Sequence, residues 1–309
     1  IGLLTLGLHF ASDPGEGAAG LALVAVSAIV FAAFTLRQRR APNPLFDLQI
    51  AARPIFWVAA LTGTIVFGTL VGSMFVGQQY VQNVLGYSTF EAGCAALPAS
   101  IAMVLASPLA ARSIERRGGR WTMAVGVALV LAGVALMFTW REGASYLPVG
   151  AAFAVIGLGI GFAGTPASRS IMAAVPPRRA GMGSGTTDLQ RDLGAAIMQS
   201  LLAVFLTRTY TSTVDAKLAS LPADQRSSIS AETAGVLRSS FGGAEEVAQR
   251  YPQHAAEIVA SAKDAFIHGS AAAIAAALVA IAAGLLVTLV WFPRRERELA
   301  DEAAYAQEG

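Results

Sequence analysis

Charged residues and cysteines are scarce in this 309-residue sequence. Only 14% of its residues are Asp, Glu, Lys or Arg, whereas a soluble domain carries about 25%. The single cysteine, Cys94, excludes an internal disulfide and a cysteine-based metal cluster. The formal net charge of +2 is too small to favour nucleic acid as a partner. Much of the protein surface must therefore face an apolar environment, as the mean hydropathy of +0.57 also indicates.

Long uncharged runs occupy most of the chain. Six of them hold 20 to 37 residues each, and about 20 helical residues are enough to cross a bilayer core. A seventh, shorter run follows Asp192, so its helix must begin near Thr187 and carry charges into the span. The sequence predicts an all-α polytopic protein of the lipid bilayer. Its expected spans are 17–37, 55–77, 90–112, 121–140, 146–168, 187–207 and 265–292.

Arginines lie at alternate ends of these spans. If the chain changes side at each span, one side holds 14 arginines in its connecting segments. The short loops opposite hold only Arg141. Basic residues mark cytoplasmic loops, so we expect the loop at 112–120 in the cytoplasm. The external segment 208–264 holds 13 charges and predicts one or two short helices, broken near Pro252.

The cytoplasmic loop has a specific residue order. Ala111, Glu115, Arg116, Gly118 and Arg120 resemble the G-x-x-x-D-R-x-G-R-R signature of the major facilitator superfamily. In that family the signature joins the second and third helices of each six-helix half. The resemblance implies a cytoplasmic gate, at which an acid and several guanidinium groups bridge neighbouring helix ends. Arginines that serve only to set topology are the alternative.

Three longer stretches resemble the fourteen-helix drug:proton antiporter branch of that superfamily. They are "RAPNPLFDLQIAARPIFWVA", "VQNVLGYSTFEAGCAALPAS" and "IMAAVPPRRAGMGSGTTDLQRDLGAAIMQS". The resemblance implies one partial and one full helix with a linker at 1–53, a C-terminal six-helix half at 54–292, and a cytoplasmic tail at 293–309. The opening "IGLLTLGLHF" resembles the end of a span, so we expect the N-terminal half to be missing from this chain.

The branch implies secondary transport by alternating access. Its members export small lipophilic or cationic compounds, with the proton as coupling ion. The bias of 20 Arg to 2 Lys favours a GC-rich bacterial genome, and hence a multi-pass protein of the bacterial plasma (inner) membrane. Two alternatives remain at this point, namely an uptake symporter of the same superfamily and a membrane scaffold subunit without transport activity.

Polar residues within the spans are the main functional candidates, because ionisable groups at membrane depth usually face a cavity or a partner. The set comprises Asp188, Arg191, Asp192 and Gln199 on one helix, with Gln78 and Gln79 at the outer end of another. Asp188 lies three residues before Arg191, so an ion pair between them is available. The aromatic residues Phe56, Trp57, Phe67 and Phe75 are expected either to line a drug pocket or to face lipid.

Glycines within the spans predict close helix packing. Gly159, Gly161 and Gly164 match the G-x-G-x-x-G spacing of a dinucleotide site, but they lie inside a span and lack the required strand. We therefore assign Gly157, Gly161 and Gly164 to helix packing. Since no Ser/His/Asp or Cys/His set is credible, we expect no enzyme active site, metal or cofactor.

Overall fold

The computed structural model describes residues 2–10, 17–42, 44–222 and 229–307, and the regular structure within these ranges is helical. Thirteen α-helices are found there. They are α1 (Gly2–Phe10), α2 (Gly17–Arg40), α3 (Leu48–Ala51), α4 (Pro54–Asn83), α5 (Thr89–Cys94), α6 (Leu97–Arg117), α7 (Gly119–Leu136), α8 (Leu147–Ala173), α9 (Ala180–Ser220), α10 (Ala231–Ser239), α11 (Phe241–Arg250), α12 (Ala255–Trp291) and α13 (Arg295–Ala306).

Seven segments of the described chain are long and apolar enough to cross a membrane. They are α2, α4, α5 together with α6, α7, α8, α9 and α12. The predicted all-α class and the seven predicted spans are thereby confirmed. This is a multi-pass membrane protein.

Two spans are longer than the sequence predicts. α9 continues to Ser220 instead of ending near residue 207, and α12 begins at Ala255 instead of near residue 265. Residues 208–220 and 255–264 contain no proline or glycine, so both helices continue beyond the predicted ends of their spans. A salt bridge of 2.7 Å between Lys217 and Asp264 joins the two extensions.

The external segment otherwise agrees with expectation. In the described part of this segment, which excludes residues 223–228, α10 and α11 are short helices of the predicted kind. A 3-10 turn over Pro252–His254 separates α11 from α12. Arg238 of α10 forms an ion pair of 2.5 Å with Asp215 of the α9 extension. The predicted break near Pro252 is confirmed.

Six helices form one bundle. α4 packs against α8, α9 and α12, while α8 also packs against α6 and α7. These helix–helix contacts can be matched between two groups of three helices. In this matching α4 corresponds to α8, α6 to α9 and α7 to α12. The α4–α9 contact then corresponds to the α6–α8 contact, and the α4–α12 contact to the α7–α8 contact. Such a correspondence is typical of two inverted three-helix repeats.

Small residues allow the closest crossings in this bundle. A Cβ atom on Gly157 would overlap the carbonyl group of Ala99, and one on Gly161 would lie 2.6 Å from the Cβ of Ala106, so both glycines bring α8 against α6. At the corresponding α4–α9 crossing, a Cβ on Gly194 would overlap the carbonyl group of Thr64. Backbones this close gain dispersion energy over a long contact.

α1 and α2 lie at the periphery. α1 packs against α2 and touches α9. Only Gly20 and Gln38 of α2 are buried, although the helix is strongly apolar. A helix of this kind exposes its apolar side chains to lipid or to another part of a membrane protein.

Candidate functional site

The basic segments meet at one end of the bundle. The Arg53 guanidinium donates to the carbonyl oxygen of Ala174 at 2.7 Å, and Arg179 forms an ion pair of 3.0 Å with Asp47. At the opposite end, the Tyr80 hydroxyl donates to the carbonyl oxygen of Arg141. The alternation of sides used to assign the loops is therefore present in the fold.

The signature segment 111–120 is almost entirely helical, and the expectation of a loop at 112–120 is wrong. α6 continues through Arg117, and Gly118 alone separates it from α7. Gly118 has a φ of 85° and a ψ of 166°, a conformation that only glycine adopts at low cost. The charged residues of α6 that were expected in a loop therefore lie in its last two turns.

Side chains of the signature do not make the expected bridges on their own. Ala111, Glu115 and Arg116 are exposed. Among the described residues, the Glu115 side chain makes no hydrogen bond or ion pair, and only its backbone carbonyl oxygen accepts a bond, from Arg295 at 2.8 Å. Arg120 does reach a neighbour, since its guanidinium donates to the carbonyl oxygen of Leu289 at the end of α12.

A different acid occupies this corner. The backbone N–H of Gly119, the first residue of α7, donates to both carboxylate oxygens of Glu298, at 3.0 and 3.2 Å. Glu298 is only 4% exposed, and this burial raises the pKa of its carboxyl group above the ordinary value. The hydrogen bond from Gly119 acts in the opposite direction. Sequence reasoning missed Glu298, because an acid in a charged C-terminal helix is usually solvated.

Four polar residues of α9 lie on surface that the described chain leaves uncovered. Asp188, Arg191, Asp192 and Gln199 are all exposed. Among the described residues no ion pair joins Asp188 to Arg191, so the available pair does not form. The Arg191 guanidinium lies instead 5.0 Å from the centre of the Phe67 ring of α4, which places it within cation–π range.

We define the uncovered polar face as Asp188, Arg191, Asp192 and Gln199, with Phe67 beside them. Contact between this face and lipid hydrocarbon is energetically unfavourable. Charged side chains at membrane depth are costly and almost always turn to a bundle interior or a water-filled cavity. Phe67 is half-buried where α4, α8 and α9 meet, and a Cβ atom on Gly164 of α8 would lie 2.8 Å from its ring. The packing at Gly164 thus positions the aromatic ring of this face.

Gln78 and Gln79 lie at the other end of α4 and are half-buried. The neighbouring Gln82 amide donates to the Gln78 carbonyl oxygen at 3.4 Å, a bond within the helix. The structure does not bring these glutamines together with the polar face of α9. They lie at the end of the bundle at which the Tyr80 hydroxyl donates to the carbonyl oxygen of Arg141.

Gln190 is a polar residue that the sequence did not single out. It is 2% exposed, and a Cβ atom on Gly63 of α4 would overlap its amide. Neither amide atom has a hydrogen-bond partner among the described residues. The signal that could have found it is an uncharged amide on the face of α9 opposite Asp188 and Asp192, at a crossing where the facing helix has a glycine.

A sequence profile described as Major Facilitator Superfamily matches residues 6–198. The chain is 29% identical over 279 residues to the "Multidrug efflux pump LfrA" of Mycolicibacterium smegmatis, covering 90% of this chain and 54% of that protein. It is 30% identical over 272 residues to the "Multidrug resistance protein Stp" of Mycobacterium tuberculosis, covering 87% and 50%. A shorter match, 30% over 198 residues, is to the "Lincomycin resistance protein LmrB" of Listeria monocytogenes, covering 62% and 42%. The chain spans about half the length of these relatives.

Proposed function

This chain belongs to the Major Facilitator Superfamily, and on that premise we propose that its helices form part of a proton-coupled multidrug exporter. Residues 54–292 are the C-terminal six-helix half in this proposal, 1–53 hold the preceding helices and linker, and 293–309 form a cytoplasmic tail. The partner is a second six-helix half, in a fourteen-helix transporter of the bacterial inner membrane. The relatives named for multidrug efflux and resistance support the proposal.

The observation that carries the proposal is the uncovered polar face of α9. Two acids and one arginine on this face carry a net charge of −1, and the Phe67 ring lies beside them. An aromatic ring with nearby carboxylates suits a lipophilic cation, which gains from apolar contact and from charge. We place the substrate between this face and the second half, where alternating access exposes it to each side in turn.

The remaining candidates take supporting roles in this proposal. Segment 111–120 lies at the cytoplasmic gate, and Gly157 and Gly161 hold α8 against α6 so that the half moves as one body. Proton movement inward drives drug movement outward. The acid that carries the proton is left open, since the acids of this face and those of the second half are both candidates.

Arg191 is the residue with which to test this proposal. In the intact protein, Arg191→Leu should abolish export of a fluorescent lipophilic cation, because the Phe67 ring loses the guanidinium that lies against it and the two carboxylates at membrane depth lose the positive charge beside them. Arg191→Lys should retain partial export, since an ammonium group keeps the charge but not the planar contact with Phe67. Transport is measured in inverted membrane vesicles energised by a pH gradient, at matched protein levels.

A matched control is Arg250→Leu, in an exposed ion pair of the external helix α11. It should export like the parent protein, because an exposed pair of this kind contributes little. Collapse of the pH gradient should stop export in the parent. Normal export by Arg191→Leu, or export that persists without a pH gradient, would contradict the proposal.

A further inference from the structure

The C-terminal helix α13 is tied to the cytoplasmic end of the bundle at several points. Arg295 donates to the carbonyl oxygen of Glu115 in α6, and its side chain lies against Gly118. Near the C-terminal end of α13, the centre of the Tyr305 ring lies 3.8 Å from the guanidinium carbon of Arg53. Arg53 immediately precedes α4. Phe292, which precedes α13, is 1% exposed. These contacts span helices that are far apart in sequence.

Glu298 lies at the centre of this docked helix. It is the buried residue of α13, whereas Glu296 on the same helix is exposed. Its carboxylate accepts a hydrogen bond from the first N–H group of α7, which has no acceptor within that helix. An acid at this position also complements the positive end of the helix dipole.

We propose that α13 is a cytoplasmic strap and that Glu298 is a positioning residue for the signature segment 111–120. By capping α7 it fixes the Gly118 corner between α6 and α7, and thereby the signature residues around it. Glu298 supplies the helix-bridging acid that the exposed Glu115 does not. The role in transport rests on the proposed function of this segment as part of the cytoplasmic gate.

The group required from Glu298 is an acceptor oxygen more than a charge. Burial disfavours its ionised form, and nearby Glu302 disfavours it further, so the pKa is raised despite Arg169 and Arg295. Arg120, on α7 itself, is engaged with Leu289. A neutral side chain with one carbonyl oxygen should therefore hold the Gly119 N–H. A side chain without an acceptor should not.

Hydrogen exchange of the Gly119 amide tests the strap directly in the detergent-purified protein. Glu298→Ala should raise the exchange rate of this amide by about tenfold, the usual effect of losing one hydrogen bond. Glu298→Gln should keep the amide protected. Glu115→Gln and Glu296→Ala are matched controls, since both acids are exposed, and each should leave the amide protected.

Protection that survives Glu298→Ala would overturn the strap, and protection lost in both Glu298 variants would overturn the acceptor role. Should Glu298→Ala fail to fold, a chain ending at Arg294 removes α13 entirely, and it must also deprotect Gly119.

Export by the intact protein provides the second readout. Glu298→Ala should reduce the export rate several-fold while Glu298→Gln restores it, at equal protein levels. Normal export by Glu298→Ala would overturn the positioning role. If the parent protein exports nothing, the proposed function fails, but the exchange experiment still decides whether Glu298 docks α13.

Discussion

The α6–α8 crossing offers a quantitative test of the packing, through Gly157→Ala. A methyl group at Gly157 would overlap the Ala99 carbonyl group, and both its carbon and the Cα atom lie within 2.8 Å of that methyl position. These are backbone atoms, so only separation of the two helices can relieve the overlap. Overpacking typically costs about 1–3 kcal/mol, and we take about 3 kcal/mol here because the overlap is with backbone atoms. Replacing glycine by alanine within a helix returns about 1 kcal/mol.

The net expectation is a loss of about 2 kcal/mol in the free energy of unfolding. At about 2 °C per kcal/mol, the melting temperature of the purified protein should fall by about 4 °C. Gly185→Ala in α9 is the matched control, since no atom lies within 4 Å of its Cβ position. It should raise the melting temperature by about 1–2 °C. Equal melting temperatures for the two variants would refute the close crossing.

Two further predictions concern the orientation of the bundle and the pH dependence of the α13 contact. In a Cys94→Ala background, an impermeant thiol reagent outside intact cells should label Ser145→Cys and spare Ser113→Cys, and the reverse pattern would overturn the orientation. Because docking raises the pKa of Glu298, the docked strap binds the proton more tightly than the free helix. Its stability is then greatest below the ordinary carboxyl pKa and declines as the pH rises through the raised value. Gly119 protection, measured relative to Glu298→Gln at each pH, should fall on going from acid to alkaline pH, and a flat ratio would contradict this.

The number of spans and their helical class could be predicted because a bilayer imposes one dominant requirement on each span. Uncharged runs of 20 residues or more are sufficient to find six of the seven spans, whereas the span in α9 carries charges within it. The ends of α9 and α12 could not be predicted in this way, because a helix continues into water until a breaking residue or an unfavourable contact stops it. The residue that stops α12 at its N-terminal end is Pro252, whereas the charge-free run begins only at residue 265.

Arg191 and Glu298 show which polar residues a sequence reveals. Arg191 stands out because charges inside a span are rare, although its partner proved to be the Phe67 ring and not Asp188. Glu298 lies in "RERELADEAAYA", where every acid has the same appearance. Which acid is buried depends on how α13 meets α7, a tertiary contact between residues 179 positions apart.

The α6–α8 and α4–α9 crossings share the same close packing but differ in chemistry. Gly157 and Gly194 bring backbones into contact at α6–α8 and α4–α9 respectively, so both crossings are close. The exposed side chains of Asp188, Arg191 and Asp192 lie well inside α9, whereas the exposed charges of α6 lie in its last two turns. On its covered face α9 carries the Gln190 amide, which has no hydrogen-bond partner among the described residues. An unpaired buried amide costs about 1–3 kcal/mol, which lowers the stability of the α4–α9 crossing. The close packing is thus common to both crossings, and the polar side chains that we propose for substrate binding are what distinguish α9 from α6.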